Sequence, residues 1–282
     1  LPCLTVGLGL LALLWALADN DLRARLEEAQ ARAVAQAIAL AQDYAAFCRH
    51  GRNGIRREKT RLTVAAFQHG ESRPTEHTDG QVFADANLHT HAVVINAGPR
   101  RGRDEDQRQD DSFSAEKFGA LDGTALFAWK MAMGAQYHAA LSFELQQLGL
   151  KVTLAGKNGL FEIDGVPVDL IQYFSARRNE IADELAAIGM ESLDAPSVAA
   201  AIARKSRKAK QRDRVEDRHA DWRDRVTEHG YEPAALIAAS LAQPDHKENL
   251  EERLARIPLE LTEHESTFER RHLHAAVASA YV

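Results

Sequence analysis

The chain has 282 residues, 45% apolar and 27% charged, which is enough to bury one large domain or one domain with an appendage, and too apolar for a disordered chain. Its net charge of -6 excludes a uniformly basic nucleic-acid coat, so any DNA contact has to come from local basic surfaces. Two cysteines, Cys3 and Cys48, exclude a disulfide framework and a cysteine-type zinc site, and fit a reducing cytoplasm better than secretion.

Residues 1–18 are uncharged and apolar but have neither a basic flank nor a cleavage signal, so they read as a buried strand or helix, with no membrane insertion expected. Residues 20–47 are alanine-rich with spaced Arg and Glu and no Gly or Pro, which predicts one long helix. Arg49, Arg52, Arg56, Arg57, Lys59 and Arg61 then gather around Gly51 and Gly54, as in a basic loop. Residues 62–67 and 88–95 are short β-branched runs, apolar on both faces, and predict central strands. Between them, residues 74–87 are polar and turn-rich, a loop in which His77 is expected to be solvated. A second loop is expected over 98–111.

Apolar residues recur at helical spacing over 124–148 and stop at Gly149. Met131 and Met133 within that run read as core packing, and Trp129 and Trp222 as buried rather than base-stacking. Residues 150–163 predict a hairpin turning at Lys157-Asn158-Gly159, and Pro167 starts a helix over 169–188. The remainder is helical and highly charged, with a boundary expected over 191–215 or near Pro244-Asp245.

His89-Thr90-His91 is the sharpest local signal, because residues i and i+2 of a strand point to one face and bring both imidazoles to one place. His69 ends the preceding predicted strand, where antiparallel pairing returns it beside them. Three neutral imidazoles leave coordination positions open, as in a catalytic metal site, and on ligand chemistry alone suit zinc, nickel or iron. The competing reading is a packed or exposed His-x-His pair. Arg204, Lys205, Arg207, Lys208, Lys210, Arg212 and Arg214 can neutralise several phosphates if they share a face, or form a solvated helix balanced by Glu216 and Asp217. No Walker-type phosphate loop is present.

Phe67-Gln68-His69-Gly70-Glu71-Ser72-Arg73, followed by Asp85-Ala86-Asn87-Leu88-His89-Thr90-His91-Ala92-Val93-Val94-Ile95-Asn96, resembles the signature of TrwC/TraI-type conjugative relaxases. Further resemblance runs through Leu13 to Asp19, Ala120 to Phe127, Gly165-Val166-Pro167, Phe174 to Arg178, Leu261-Thr262-Glu263 and Ser266-Thr267-Phe268. It implies an α+β domain of the HUH-nickase type: a central antiparallel sheet carrying the three histidines, flanked by helices and followed by a helical C-terminal tail. His69, His89 and His91 would hold a divalent cation, magnesium or manganese by resemblance, with zinc or nickel still open on ligand chemistry. The cation would polarise a scissile phosphate of single-stranded DNA at an origin of transfer, while a tyrosine attacks and becomes 5'-phosphotyrosyl-linked. DNA contacts fall to Arg73, Arg204, Lys205, Arg207, Lys208 and Lys210, and other relaxosome proteins are implied as partners.

Two departures stand beside the match. The family's nucleophilic tyrosines lie upstream of the segment that Leu13 to Asp19 matches, and LPCLTVGLGLLA replaces the D-L-T-F-S-A-P-K-S-V-S that precedes it, so no residue is assigned as catalytic and Tyr44, in the first long helix, is not promoted. An insertion between Arg73 and Asp85 should extend a loop near the metal. The expectation is an N-terminally incomplete relaxase core over 1–195 and a helical part over 196–282 that leads toward an absent helicase. Metal-dependent, strand-specific nicking of single-stranded plasmid DNA in conjugation is the favoured function, with this chain, as an incomplete fragment, not expected to complete the covalent step. A non-catalytic single-stranded-DNA-binding remnant is the first alternative, and a three-histidine hydrolase using activated water the second.

Overall fold

The computed structural model describes residues 3–7, 9–100, 114–155, 159–190, 196–206, 215–241, 250–263 and 267–282. The N-terminal segment resolves into both a strand, β1 (Cys3–Gly7), and a helix, α1 (Gly9–Leu17). An all-apolar helix is stable in a soluble fold only when covered on every side, and Leu11 to Ala18 are at most 5% exposed. Its last carbonyls have no partner within the helix. Guanidiniums supply one: Arg223 donates to Leu17 O at 3.3 Å and to Ala18 O at 2.6 Å, and Arg23 donates to Ala18 O at 3.0 Å. Cations at a helix C-terminus also meet its dipole favourably.

Asp19 then caps α2 (Asn20–Tyr44) by accepting from Leu22 N–H at 2.9 Å. The helix stops short of the expected residue 47 because Phe47 enters β2 (Phe47–His50), which pairs with β3 (Arg56–Lys59). The basic stretch is therefore a hairpin and not a loop, turned by Asn53 in the left-handed region at φ 60°. Small residues on one face of α2, Ala29, Ala33 and Ala37, allow close packing. α3 (Gly123–Gln147), capped by Asp122 through Thr124 N–H at 3.1 Å, packs along it.

β4 (Val64–Glu71), β7 (Ala86–Val94) and β1 form one antiparallel sheet in the order β1-β7-β4. Only β7 is central. β4, expected to be central, is an edge strand among the described residues, and Phe67 stands 54% exposed on it. The other strands form two-stranded ribbons: β5 (Thr75–Glu76) with β6 (Val82–Phe83), β8 (Gly98–Arg100) with β9 (Ser114–Gly119), and β10 (Val152–Leu154) with β11 (Phe161–Ile163). The last is the expected hairpin; Lys157 and Asn158 of its turn, like residues 101–111 of the second expected loop, lie outside the described residues.

The helix expected over 169–188 is two: α4 (Val168–Tyr173), entered from Pro167, and α5 (Ala176–Ala186). The break lets Phe174 turn into the core at 8% exposure and gives α5 an N-terminus whose Arg177 N–H meets the Asp85 carboxylate at 3.4 Å. Beyond lie α6 (Pro196–Lys205), α7 (Val215–Glu228), α8 (Pro233–Ser240), α9 (Leu250–Thr262) and α10 (Arg270–Ala280). Trp222 and Val226 of α7 and Val282 share one apolar core with α1 and α3. Trp222 is buried as expected, its indole N–H donating to Ala84 O at 2.9 Å; Met133 is buried but Met131 is 49% exposed. Among the described residues no helix is long and apolar enough to cross a membrane.

His219 of α7 is 3% exposed between Trp15 and Trp222, with Nδ1 3.0 Å from Ala16 O and no partner for Nε2. Burial pushes its imidazole below the ordinary value; the bond to Ala16 O opposes this, and Arg23, Arg223 and Arg218 reinforce it. The unfolded chain therefore takes up the proton more readily. Stability from a neutral His219 is present above about pH 6.5 and is lost as pH falls. Unfolding midpoints should drop on acidification from about pH 7.5 to about pH 5.5, and drop less in His219→Gln.

Candidate metal centre

The register of β4 on β7 sets His69 directly opposite His89, and the period of two puts His91 on the same face. Ring centroids are 5.4 Å apart for His69 and His89, and 4.9 Å apart for each of the other two pairs. Each ring offers one nitrogen, and the three nitrogens lie within 4.8 Å of one another. His89 is 9% exposed and its Nδ1 is 2.7 Å from Asn87 O. A carbonyl only accepts, so Nδ1 carries the proton and Nε2 is the nitrogen left to coordinate. The donor set fits a divalent cation with positions left open.

The opposite face of β7 fixes this arrangement. Leu88, Thr90, Ala92 and Val94 turn inward at 1 to 4% exposure. Gln30 of α2, fully buried, donates to Leu88 O at 2.9 Å and accepts from Gln68 Nε2 at 2.7 Å and Thr90 Oγ1 at 3.1 Å. One side chain thus holds both histidine strands from behind. On the other edge, β1 pairs Thr5 with His91 and Gly7 with His89.

The ladder shifts register between His69 and Glu71. A Cβ on Gly70 would stand 2.2 Å from Trp15 Cη2, so only glycine lets the bulge close over the indole. Trp15 is held by its N–H to Glu27 Oε1 at 2.8 Å and by edge contact with His219. Glu71, just past the bulge, pairs with Arg218 of α7. A cavity of about 190 Å³ lies beside His69, walled by Trp15, Leu88 and Trp222 and edged by Glu27, Gln68 and Arg218.

Of the expected DNA contacts, Arg73 is half-buried directly after the bulge, and Arg204 and Lys205 stand exposed in the last turn of α6. Arg207, Lys208 and Lys210 lie outside the described residues. The β2–β3 hairpin presents Arg49, Arg52, Arg56 and Lys59 to solvent, with Ile55 79% exposed near its turn. Its acidic residue, Glu58, is taken by Arg100 at 2.6 Å. Arg57 holds Asp122, at the α3 cap, at 2.6 Å.

Two tyrosine hydroxyls donate to carboxylates elsewhere. Tyr173 donates to Asp79 at 2.7 Å and Tyr231 to Asp169 at 2.8 Å. Tyr137 is fully buried, and Tyr281 is exposed beyond α10. Tyr44 stacks on Trp129 beneath Arg270, fourteen positions along α2 from Gln30, or about 21 Å at 1.5 Å per residue. Burial pushes the Cys48 thiol up, away from thiolate chemistry.

His77 contradicts the expectation of a solvated loop residue. It is 5% exposed, stacked on Phe83 at 3.6 Å between ring centroids, with Nε2 2.6 Å from Asp85 Oδ1. The reason is that the insertion folds into the β5–β6 ribbon and turns its own aromatic ring inward to cover the imidazole. No local sequence pattern carries that signal, since the partners only meet once the ribbon closes.

The sequence profile of the TrwC relaxase family matches residues 11–229. The chain belongs to this family. It is 32% identical over 185 residues to the multifunctional conjugation protein TraI of Escherichia coli strain K12, and 31% identical over 181 residues to a second Escherichia coli TraI. These matches cover 65% and 64% of this chain and 9% of each relative. Among solved structures, the conjugative relaxase TrwC in complex with mutant oriT DNA aligns with TM-score 0.65 at 28% identity, covering 82% of this chain and 74% of that one. TrwC with a 27-mer DNA comprising the recognition hairpin and the cleavage site aligns at 0.63 and 28%, with coverages of 82% and 74%. A metal-bound TrwC–oriT structure aligns at 0.64 and 28%, with 82% and 72%.

Gly70→Ala should destabilise the relaxase fold by about 1–3 kcal/mol, the cost of overpacking where the neighbour cannot yield. Chemical denaturation of the two proteins measures it.

Proposed function

We propose that this chain is the DNA-nicking core of a conjugative relaxase, binding single-stranded DNA at an origin of transfer through a divalent cation held by His69, His89 and His91. The observation that carries the proposal is the convergence of three imidazoles from the two motif strands, with His89 tautomerically fixed for coordination. TrwC structures in complex with oriT DNA, one of them metal-bound, support both halves of the reading. When bound, such a cation supplies Lewis-acid stabilisation of charge on a phosphate's non-bridging oxygens. The chain's own part is to fix the three nitrogens on a stiff ladder and to exclude the helix face from solvent. Magnesium or manganese is the proposed ion by family, while the all-imidazole set also accommodates zinc or nickel.

Basic residues at the periphery would hold the strand: Arg73, Arg204, Lys205, Arg207, Lys208 and Lys210, together with the β2–β3 hairpin. We further propose a nicking core over 1–195 with a helical continuation over 196–282, a cytoplasmic location, and other relaxosome proteins as partners. A second reading, DNA binding without the covalent step, is favoured by the Tyr173 and Tyr231 hydroxyls donating to Asp79 and Asp169, and by Tyr44 standing fourteen positions along α2 from Gln30.

The deciding experiment incubates the chain with 5'-labelled and 3'-labelled single-stranded origin oligonucleotides and manganese, beside His89→Ala. Cleavage with a denaturation-resistant protein–DNA adduct, lost in the variant, supports nicking. Binding without cleavage supports the second reading, and cleavage without an adduct points to activated water. Separately, Arg49→Ala, Arg52→Ala and Arg56→Ala combined should weaken DNA binding at low salt and reduce the slope of log affinity against log salt by about 2, at roughly 0.7 per phosphate contact on a single strand.

A further inference from the structure

The chain leaves β4 just past His69 and rejoins the sheet at Ala86, shortly before His89. The neck of this excursion is closed by Ser72 N–H donating to Asp85 O at 2.9 Å and by Asp85 N–H donating to Ser72 Oγ at 3.0 Å. Above the neck the His77 side chain has no exposed surface and faces two oxygens, Asp85 Oδ1 at 2.6 Å from Nε2 and Thr75 O at 3.1 Å from Nδ1. The carbonyl only accepts, so Nδ1 carries a proton; the short contact to Asp85 needs a second proton between nitrogen and carboxylate. The pair therefore holds two protons and no net charge, the arrangement a buried site tolerates.

The same excursion meets three helices. Asp85 Oδ2 accepts from Arg177 N–H in the first turn of α5. Arg177 also pairs with Glu180, which accepts from Thr75 Oγ1 at 3.4 Å. Tyr173 of α4 reaches Asp79. Phe83 lies between His77 and Arg225 of α7, whose guanidinium carbon is 3.7 Å from the ring centroid. His69 opposite His89 is the last regular pair before the bulge, and a ladder end of this kind frays unless tied.

We propose that His77, through its shared proton with Asp85, is a positioning residue for the three-histidine site: it latches the excursion and so keeps His69 and His89 in register. The proposal rests on the metal-site reading above for its functional consequence, and on the neck for its structure.

The test compares wild type, His77→Phe, Asp85→Asn and His69→Ala, all as the full chain, at a temperature where circular dichroism reports each folded. Asp85→Asn is the conservative variant, since an amide can donate to Nε2 while still accepting from Arg177 N–H. In His77→Phe, hydrogen exchange at the Ser72 and Asp85 amides should speed up at least tenfold, and manganese affinity by calorimetry should fall about 10- to 100-fold, the range for supporting residues of metal ligands. Asp85→Asn should stay within about threefold of wild type on both readouts, and in labelled wild type the His77 Nδ1 should carry a proton by long-range nitrogen–proton correlation. Wild-type exchange and affinity in a folded His77→Phe, or a bare Nδ1, would overturn the proposal. Should His77→Phe not fold, His77→Gln takes its place with the same criteria. If wild type and His69→Ala bind manganese equally poorly, the metal reading fails while amide exchange and the Nδ1 proton still decide the latch.

Discussion

A buried amide, Gln30, sits where three demands meet. It satisfies the Leu88 carbonyl, joins β4 to β7 through Gln68 and Thr90, and anchors both strands to α2. Because side chains alternate along a strand, a slip of one residue would turn His89 and His91 into the helix face and Leu88 and Thr90 out of it. Register is therefore the condition for the three-histidine cluster, and a polar group deep in the core helps to specify it. Burial of Leu88, Ala92 and Val94 favours the same register, and hydrogen bonds with fixed partners sharpen it.

Properties carried by one element were legible in the sequence. The period of two at His89-Thr90-His91, the uninterrupted helices α2 and α3, and the hairpin at residues 150–163 depend on neighbours along the chain. Where structure depends on what lies across space, the reading fell short. The β4 segment looks central because it is apolar on both faces, yet edge or centre is decided by how many strands assemble. Arg49 to Arg61 looks like a loop because charge and glycine dominate, yet Asn53 in the left-handed region closes a hairpin. His77 looks solvated because its neighbours in sequence are polar, whereas its neighbours in space are Phe83, Tyr173 and Asp85. Family resemblance favoured a ligand set over a packed His-x-His pair but says nothing of an insertion, which has no counterpart to be read from.

The net negative charge and the proposed DNA role are compatible because charge is sorted by place. Acidic groups near the basic surfaces are spoken for: Glu58 by Arg100, Asp122 by Arg57, Glu180 by Arg177 and Glu71 by Arg218. The exposed arginines of the β2–β3 hairpin thus keep their field, which salt screens over about 8–10 Å, close to the surface where a strand would run.

The capping of α1 by Arg223 also bears on how the molecule is made. Ala18 O and the Arg223 guanidinium are 205 positions apart, and His219 and Ala16 O are 203 apart. During synthesis α1 emerges well before α7 and α8, so its apolar surface and terminal carbonyls stay uncovered until those two helices follow. Contacts of such separation slow folding and lengthen the exposure of hydrophobic surface. A helix made 203 to 205 positions ahead of its cover is thus buried late, and premature termination before α7 would leave α1 without it.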